Sequence, residues 1–257
     1  MAEGPVAIVT GAASGIGREL ASVLAARGHR LLAVDVDHDG LEAQAAKAGW
    51  PSERVLRKRL DVRDPRAWTE TIDLVFRTWG RLDTLLNVAG VLRPSSVHTV
   101  PAVDVDFHLD VNTKGVIHGT RAAAARMVPQ GHGHIVNVAS LAAHCPVPGL
   151  ALYAASKFAV RGFSLSVAYE LAPLGVAVSV VCPDAVATPM LDLELQYPAA
   201  ALTFSGGRTL TVEDVARVVV DRVLVKKPVS TACLKTFVFH PTANFCSLRI
   251  CNQTACT

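Results

Sequence analysis

Tyr153 and Lys157 are the residues of this chain whose types and spacing most directly suggest chemistry. Four positions apart in a helix-forming stretch, they fall on one helical face. A phenol has an ordinary pKa of about 10, too high for ready proton exchange near neutrality. A neighbouring ammonium stabilises phenolate and should bring that value down, which makes the pair an acid/base device. Ser140 ends the preceding apolar run over 134–140 and could align a substrate oxygen by donating a hydrogen bond. Two residues can also share a helix face by chance, and Tyr-x-x-x-Lys is a common spacing. The serine-ended run and a glycine-rich turn near the start of the chain weigh against chance.

That turn is Thr10-Gly11-Ala12-Ala13-Ser14-Gly15-Ile16-Gly17, between the apolar run 6–9 and a helical stretch over 18–28. Ile16, Leu20, Val23 and Leu24 fall on one face of the helix, and Gly28 stops it. Gly11 permits the tight turn, Gly15 clears space for a phosphate, and Gly17 lets the helix approach the sheet. The helix N-terminus then offers N–H groups and the positive end of its dipole to a pyrophosphate. The order is G-x-x-x-G-x-G, so the glycines alone also suit an ordinary strand–turn–helix. The next strand, 30–35, ends on Asp35, about twenty residues further on, where a βαβ unit presents a carboxylate to a ribose.

The elements that must position these residues alternate along the chain. Helices are predicted over 39–48, 65–79, 104–128 (bent or broken near Gly115 and Gly119), 153–171 and 211–226, the last opened by a Thr-x-x-Asp cap. Strands are predicted over 55–61, 82–87, 134–140 and 176–181, with a weak one over 235–239. Arg57, Lys58 and Arg59 place strand 55–61 at a sheet edge. The alternation describes one α/β domain over 1–257 built on a parallel sheet, its tail from 229 onward irregular. Ligands of such sheets bind at the carboxyl ends of the strands, where this chain keeps glycine or polar residues.

Composition bounds the rest. The 51% hydrophobic and 18% charged content suits strands buried on both faces. A net charge of +3, without a basic run, gives no footing for nucleic acid. There is no apolar stretch of bilayer length, and the first strand starts close to Met1, so a soluble cytoplasmic protein is expected. Cys145 and Cys182 read as buried thiols. Cys233, Cys246, Cys251 and Cys256 crowd the tail without a C-x-x-C pair, so no metal site is expected.

Taken together the motifs resemble the short-chain dehydrogenase/reductase family over residues 5–228. They are Thr10-Gly11-x-x-x-Gly15-Ile16-Gly17, Asp61-Val62, Asn87-Val88-Ala89-Gly90, Asn112, Ser140, Tyr153-x-x-x-Lys157, and Pro183 with Thr188. The resemblance implies a Rossmann-type, doubly wound parallel sheet of six to seven strands with helices on both faces. It also implies hydride transfer between a nicotinamide and a secondary alcohol or ketone. Tyr153 is then the general acid/base, Ser140 positions the substrate oxygen, and Lys157 binds the nicotinamide ribose and tunes the tyrosine. Asn112 holds a water of the proton relay. Gly11, Ser14, Gly15, Ile16, Gly17 and Asp35 line the cofactor, as do Asn87, Ala89, Gly90 and Pro183. Asp61 and the Val62 backbone meet the adenine, and Thr188 the nicotinamide amide. A homodimer or homotetramer is the assembly implied. Two departures stand out: Val88 in place of a second asparagine, and Asp184 where the family has glycine.

Asp35 without a base at Val36 or Ser14 favours NAD over NADP, because the carboxylate accepts from ribose hydroxyls and repels a 2′-phosphate. Arg57 and Lys58 read as a solvated edge. Residues 190–204 fall where the family has its mobile substrate lid. Their leucines suit a partly hydrophobic alcohol or ketone, or else pack on the body of the protein. The competing reading is a catalytically impaired, NAD(H)-binding regulatory or scaffolding protein, for which Asp184 and the tail are the arguments.

Overall fold

The computed structural model describes residues 4–205, 208–227 and the strand backbone of 232–234. Seven strands form one sheet in the order β3-β2-β1-β4-β5-β6-β7, with every neighbouring pair parallel. They are β1 (Val6–Thr10), β2 (Arg30–Asp35), β3 (Val55–Arg59), β4 (Thr84–Asn87), β5 (Gly133–Val138), β6 (Val176–Pro183) and β7 (Ala232–Leu234). The chain builds outward from β1 to β3, then returns to lay β4 on the other side of β1. Loops leaving β1 and β4 therefore diverge and open a crevice at the carboxyl ends of the strands.

The central strands are largely apolar because both faces of the sheet are covered there. Ala7, Val9, Leu31 and Ala33 face Leu20 and Leu24 of α1 (Gly15–Ala26), with Val215 of α8 (Val212–Val218). Val6, Ile8, Leu32 and Val34, the alternate residues, face Trp68, Ile72 and Val75 of α3 (Pro65–Trp79). Local chemistry sets the helix ends. Asp37 caps α2 (His38–Ala48), and Asp64 caps α3 ahead of Pro65. Thr211 and Asp214 form the expected reciprocal cap of α8, which runs on through a π turn (Val219–Val223) into α9 (Leu224–Lys226).

The basic strand lies at a sheet edge as expected, with Arg57 paired to Glu42. One expectation is revised. The long helix is not broken at its glycines: α4 (Ala102–His108) passes through a π segment (Leu109–Lys114) into α5 (Gly115–Gln130). Gly115 and Gly119 serve close packing instead. A Cβ on Gly119 would stand 2.6 Å from Asn87 Oδ1 and 2.7 Å from the Trp68 ring, and one on Gly115 would stand 2.7 Å from Val62. The seventh strand is Ala232–Leu234, paired with Val181, Cys182 and Pro183. The segment 235–239, expected to form it, and the expected irregular tail beyond lie outside the described residues. Cys182 is buried, whereas Cys145 is partly exposed. Among the described residues no helix is long and apolar enough to cross a membrane.

Two helical glycines give a test of opposite signs. Gly162, inside α6 (Ala151–Leu171), has open space where a Cβ would go. Gly162→Ala should stabilise by up to ~1 kcal/mol through helix propensity alone. Gly119→Ala gains the same propensity but forces a buried contact, so it should destabilise by about 1–3 kcal/mol. Urea unfolding of the two variants checks this, and stabilisation by Gly119→Ala would refute the packing role.

Candidate active site

The glycine turn is shaped by backbone conformation. Gly11 and Gly15 are left-handed, at φ of 69° and 51°. A Cβ on Gly17 would meet the Gly11 carbonyl oxygen at 2.1 Å, so only glycine lets α1 start this close to β1. Ser14 makes no side-chain cap bond, and the first turn of α1, which includes Ile16, carries no acid. That leaves the helix N-terminus open to an anion. A Cβ on Gly15 would reach Thr188 Cγ2 at 3.2 Å, so Thr188 overhangs the turn from the start of α7 (Pro189–Leu195).

Asp35 stands beside this turn at the end of β2. Its carboxylate accepts from Ala13 N at 2.9 Å and Asp37 N at 3.0 Å, so it braces the glycine turn as well as facing the crevice edge. Each oxygen still has a lone pair to offer. Arg59 is its register partner on β3, with Nε donating to Val36 O at 3.2 Å. The sequence reading missed Arg59; its opposition to Asp35 depends on strand register. Asp61 is engaged by the Arg63 guanidinium, at 2.6 Å for the shortest contact, and that partner holds its carboxyl below the usual range. The Val62 carbonyl accepts from the Trp68 indole at 2.9 Å.

The loop after β4 closes against α6. Thr10 Oγ1 accepts from Val88 N and Ala89 N at 2.9 and 3.0 Å, which ties this loop to the glycine turn. Asn87 is 2% exposed and spends its side chain inside, donating to Asn137 Oδ1 at 2.9 Å. Asn112, in the π segment, is fully buried. It accepts from Val91 N at 2.8 Å, donates to Val91 O at 2.9 Å, and donates to Ser156 Oγ at 3.0 Å. It therefore clasps the loop to the helix that carries Tyr153. A π turn shifts the helical phase by one residue, which is how this side chain comes to face the loop.

Lys157 is 3% exposed, and its Nζ donates to Val138 O at 3.0 Å. A Cβ on Gly90 would lie 3.3 Å from Asn112 Oδ1 and 3.4 Å from Lys157 Nζ, so these three residues converge. The ammonium stands 5.6 Å from the centre of the Tyr153 ring. Burial lowers Lys157 to about 8. Burial also pushes the Tyr153 phenol well above its usual value, against a hydrogen bond with Ser140 that pulls it down. Desolvation dominates both groups, so the net depression of the phenol expected from the sequence is not seen here. Ser140 is extended at the end of β5, its hydroxyl also accepting from Ala142 N at 3.1 Å. Tyr153 packs with Leu92, Val147, Leu150, Met190 and Tyr197.

Pro183 ends β6. Asp184, in the unusual position, is half-buried; its carboxylate accepts from Ala185 N at 2.9 Å, and burial raises its pKa. Among the described residues no group of three His, Cys, Asp or Glu side chains could hold a metal.

The family model for the short chain dehydrogenase matches residues 5–196. The chain is 38% identical over 198 residues to 2-(R)-hydroxypropyl-CoM dehydrogenase of Xanthobacter autotrophicus, covering 75% of this chain and 79% of that one. It is 39% identical over 188 residues to D-threitol dehydrogenase of Mycolicibacterium smegmatis, covering 73% and 72%. The crystal structure of levodione reductase superposes with a TM-score of 0.81 at 27% identity, over 90% of this chain and 96% of that one. Matches of this extent, in sequence and in fold alike, mean that the chain belongs to the short chain dehydrogenase family.

Proposed function

We propose that this protein is an NAD(H)-dependent oxidoreductase that interconverts a secondary alcohol and its ketone. The observation that carries the reading is the convergence of Lys157, Gly90 and Asn112 beside a Tyr153 hydroxyl bonded to Ser140. This cluster and the glycine turn lie at the same end of the sheet. The likeness to named dehydrogenases supports the same reaction class.

The residues fit a dinucleotide. Gly11, Gly15 and Gly17 keep side chains out of the turn, and the open start of α1 suits a pyrophosphate. In this reading Asp35 would hold one ribose, the Ala89–Gly90 backbone and Lys157 the second, and Pro183 and Thr188 the nicotinamide end. When bound, a nicotinamide supplies the hydride chemistry. Tyr153 then gives the proton to the ketone oxygen, or takes it from the alcohol. Ser140 orients that oxygen. Lys157 holds positive charge near the phenolate as it forms, and Asn112 fixes the loop and helix that carry the pair.

One observation favours a second cofactor reading. Arg59 opposite Asp35 offers a guanidinium to a 2′-phosphate, so NADP(H) is the alternative.

Three predictions follow from these roles. Tyr153→Phe should lower kcat by ~10²–10⁴ while NADH binding, read by nicotinamide fluorescence, stays near wild type. Near-normal turnover would remove Tyr153 from the proton step. Asp35→Ala with Val36→Arg should shift the NAD/NADP affinity ratio toward NADP by about tenfold or more, since hydrogen bonds to a charged acceptor are lost. Arg59→Ala should leave NAD binding nearly unchanged, and a selective loss of NADP binding would instead support the alternative. The third concerns pH. Lys157 titrates at about 8 in the fold and near its ordinary value when unfolded, so between those values the unfolded chain binds more protons. Stability without added nucleotide should therefore gain a contribution as pH rises from about 8 toward about 10.5, absent from Lys157→Met. Paired melts of both proteins across that range check it, and parallel profiles would refute it.

A further inference from the structure

A cavity of about 350 Å³ opens at the amino ends of the strands, at the opposite pole of the sheet from the crevice. Pro5, His29 and Asp83, which immediately precede β1, β2 and β4, line it together with His134 near the start of β5. Leu224, the first residue of α9, and Lys227, just past its end, line the same cavity. The acid of the cavity is already engaged. Asp83 takes the Arg81 guanidinium on Oδ1 and the Val6 N–H on Oδ2 at 2.8 Å, and Arg81 also reaches His132 Nε2 at 3.2 Å. Lys227 is different: among the described residues no carboxylate pairs with its ammonium. It is also the one non-glycine residue with a positive φ among the described residues, at 48°. Glycine would sit there without strain, so a lysine kept at such a position is a pointer to function. His134 is 3% exposed; its Nε2 is paired with the Ser179 hydroxyl at 2.9 Å, and its Nδ1 has no hydrogen-bond partner among the described residues. When Ser179 donates to Nε2, the ring hydrogen stays on Nδ1 and lacks an acceptor. Burial, and after it the Lys227 charge, hold this imidazole at about 4, so it is neutral near pH 7. A buried unpaired donor and an unpaired cation on one cavity are both satisfied by an anion. Among the described residues no three-ligand group here could hold a metal instead.

We propose that this cavity is a second ligand site, which binds the oxyanion group, carboxylate or phosphate, of a small metabolite by pairing it with Lys227 and giving it the Nδ1 hydrogen of His134. The inference stands apart from the alcohol–ketone reading, because these residues lie at the opposite ends of β4 and β5 from Gly90 and Ser140. An anion held there bridges the end of the α8–α9 helix to the start of β5. Its occupancy therefore stabilises the folded protein by mass action.

The probes are butyrate and ethyl phosphate, each measured near neutral pH against sodium chloride of equal ionic strength. Calorimetric titration and thermal melts compare the wild type with Lys227→Gly and Lys227→Arg. Glycine suits the left-handed backbone at this position, so Lys227→Gly should melt no lower than the wild type in chloride alone. At about tenfold excess over its Kd, a bound probe should raise the wild-type Tm by roughly 3–5 °C. Lys227→Gly should weaken that probe by about tenfold or more, because a charge-assisted contact is lost, whereas Lys227→Arg keeps it. Saturation should also shift the His134 Nδ1 signal in nitrogen NMR spectra of the wild type. Whichever probe binds the more tightly names the head group, carboxylate or phosphate. Equal Kd values in the wild type and Lys227→Gly, an unmoved His134 signal, or no binding of either probe overturns the proposal. So does a response that survives Lys227→Gly and is abolished by NADH, which would place the anion at the glycine turn. Each of these failures leaves the alcohol–ketone reading standing, since that reading is tested by turnover.

Discussion

One buried ammonium sets the terms for the carboxyl edge of the sheet. Lys157 is withdrawn from water and donates to the Val138 carbonyl. Holding a cation there costs several kcal/mol, and its weakened basicity is the same cost seen as proton affinity. A Cβ at position 90 would press on it and on Asn112. The loop carrying Gly90 stays in place because Asn112 takes both the N–H and the C=O of Val91. Thr10 fastens the other end of that loop to the first strand. The two hydrophobic layers therefore supply the stability that the site gives up.

Much of this was legible because it depends on local chemistry. Gly11 and Gly15 occupy left-handed positions at a strand–helix turn, and few other residues do so at low cost. Asp64-Pro65 and Thr211-x-x-Asp214 announce helix starts that the structure contains. Tyr153 and Lys157 meet because four residues make about one helical turn. Arg57-Lys58-Arg59 marks an edge strand, since three bases could not lie in the middle of a covered sheet.

What was not legible depends on contacts made across the fold. Whether the ammonium or desolvation governs the Tyr153 phenol is decided by how tightly Leu92, Leu150 and Tyr197 close over it. The π segment over Leu109–Lys114 has no signature in residue type, and Gly115 and Gly119 looked like breaks because their neighbours Val62 and Trp68 are distant in sequence. In Leu193-Glu194-Leu195 the simplest pattern reading turns the leucines inward, and the structure turns the glutamate inward instead.

The polar chain through the middle of the sheet fixes the alignment of its parts. Asn87 on β4 donates to Asn137 on β5, and Asn137 donates to Ser164 on α6 at 2.9 Å, all within hydrocarbon. Sliding β5 by one residue would turn Asn137 to the opposite face and take its amide away from Asn87 and Ser164 alike. Sliding α6 by one residue would carry Ser164 away and leave the buried Asn137 amide without its acceptor. Ser164 and Lys157 are seven residues apart on that helix, two turns along one face. The network is thus a vernier: it admits one depth of α6 against the sheet, and through it the height at which Tyr153 meets whatever lies in the crevice.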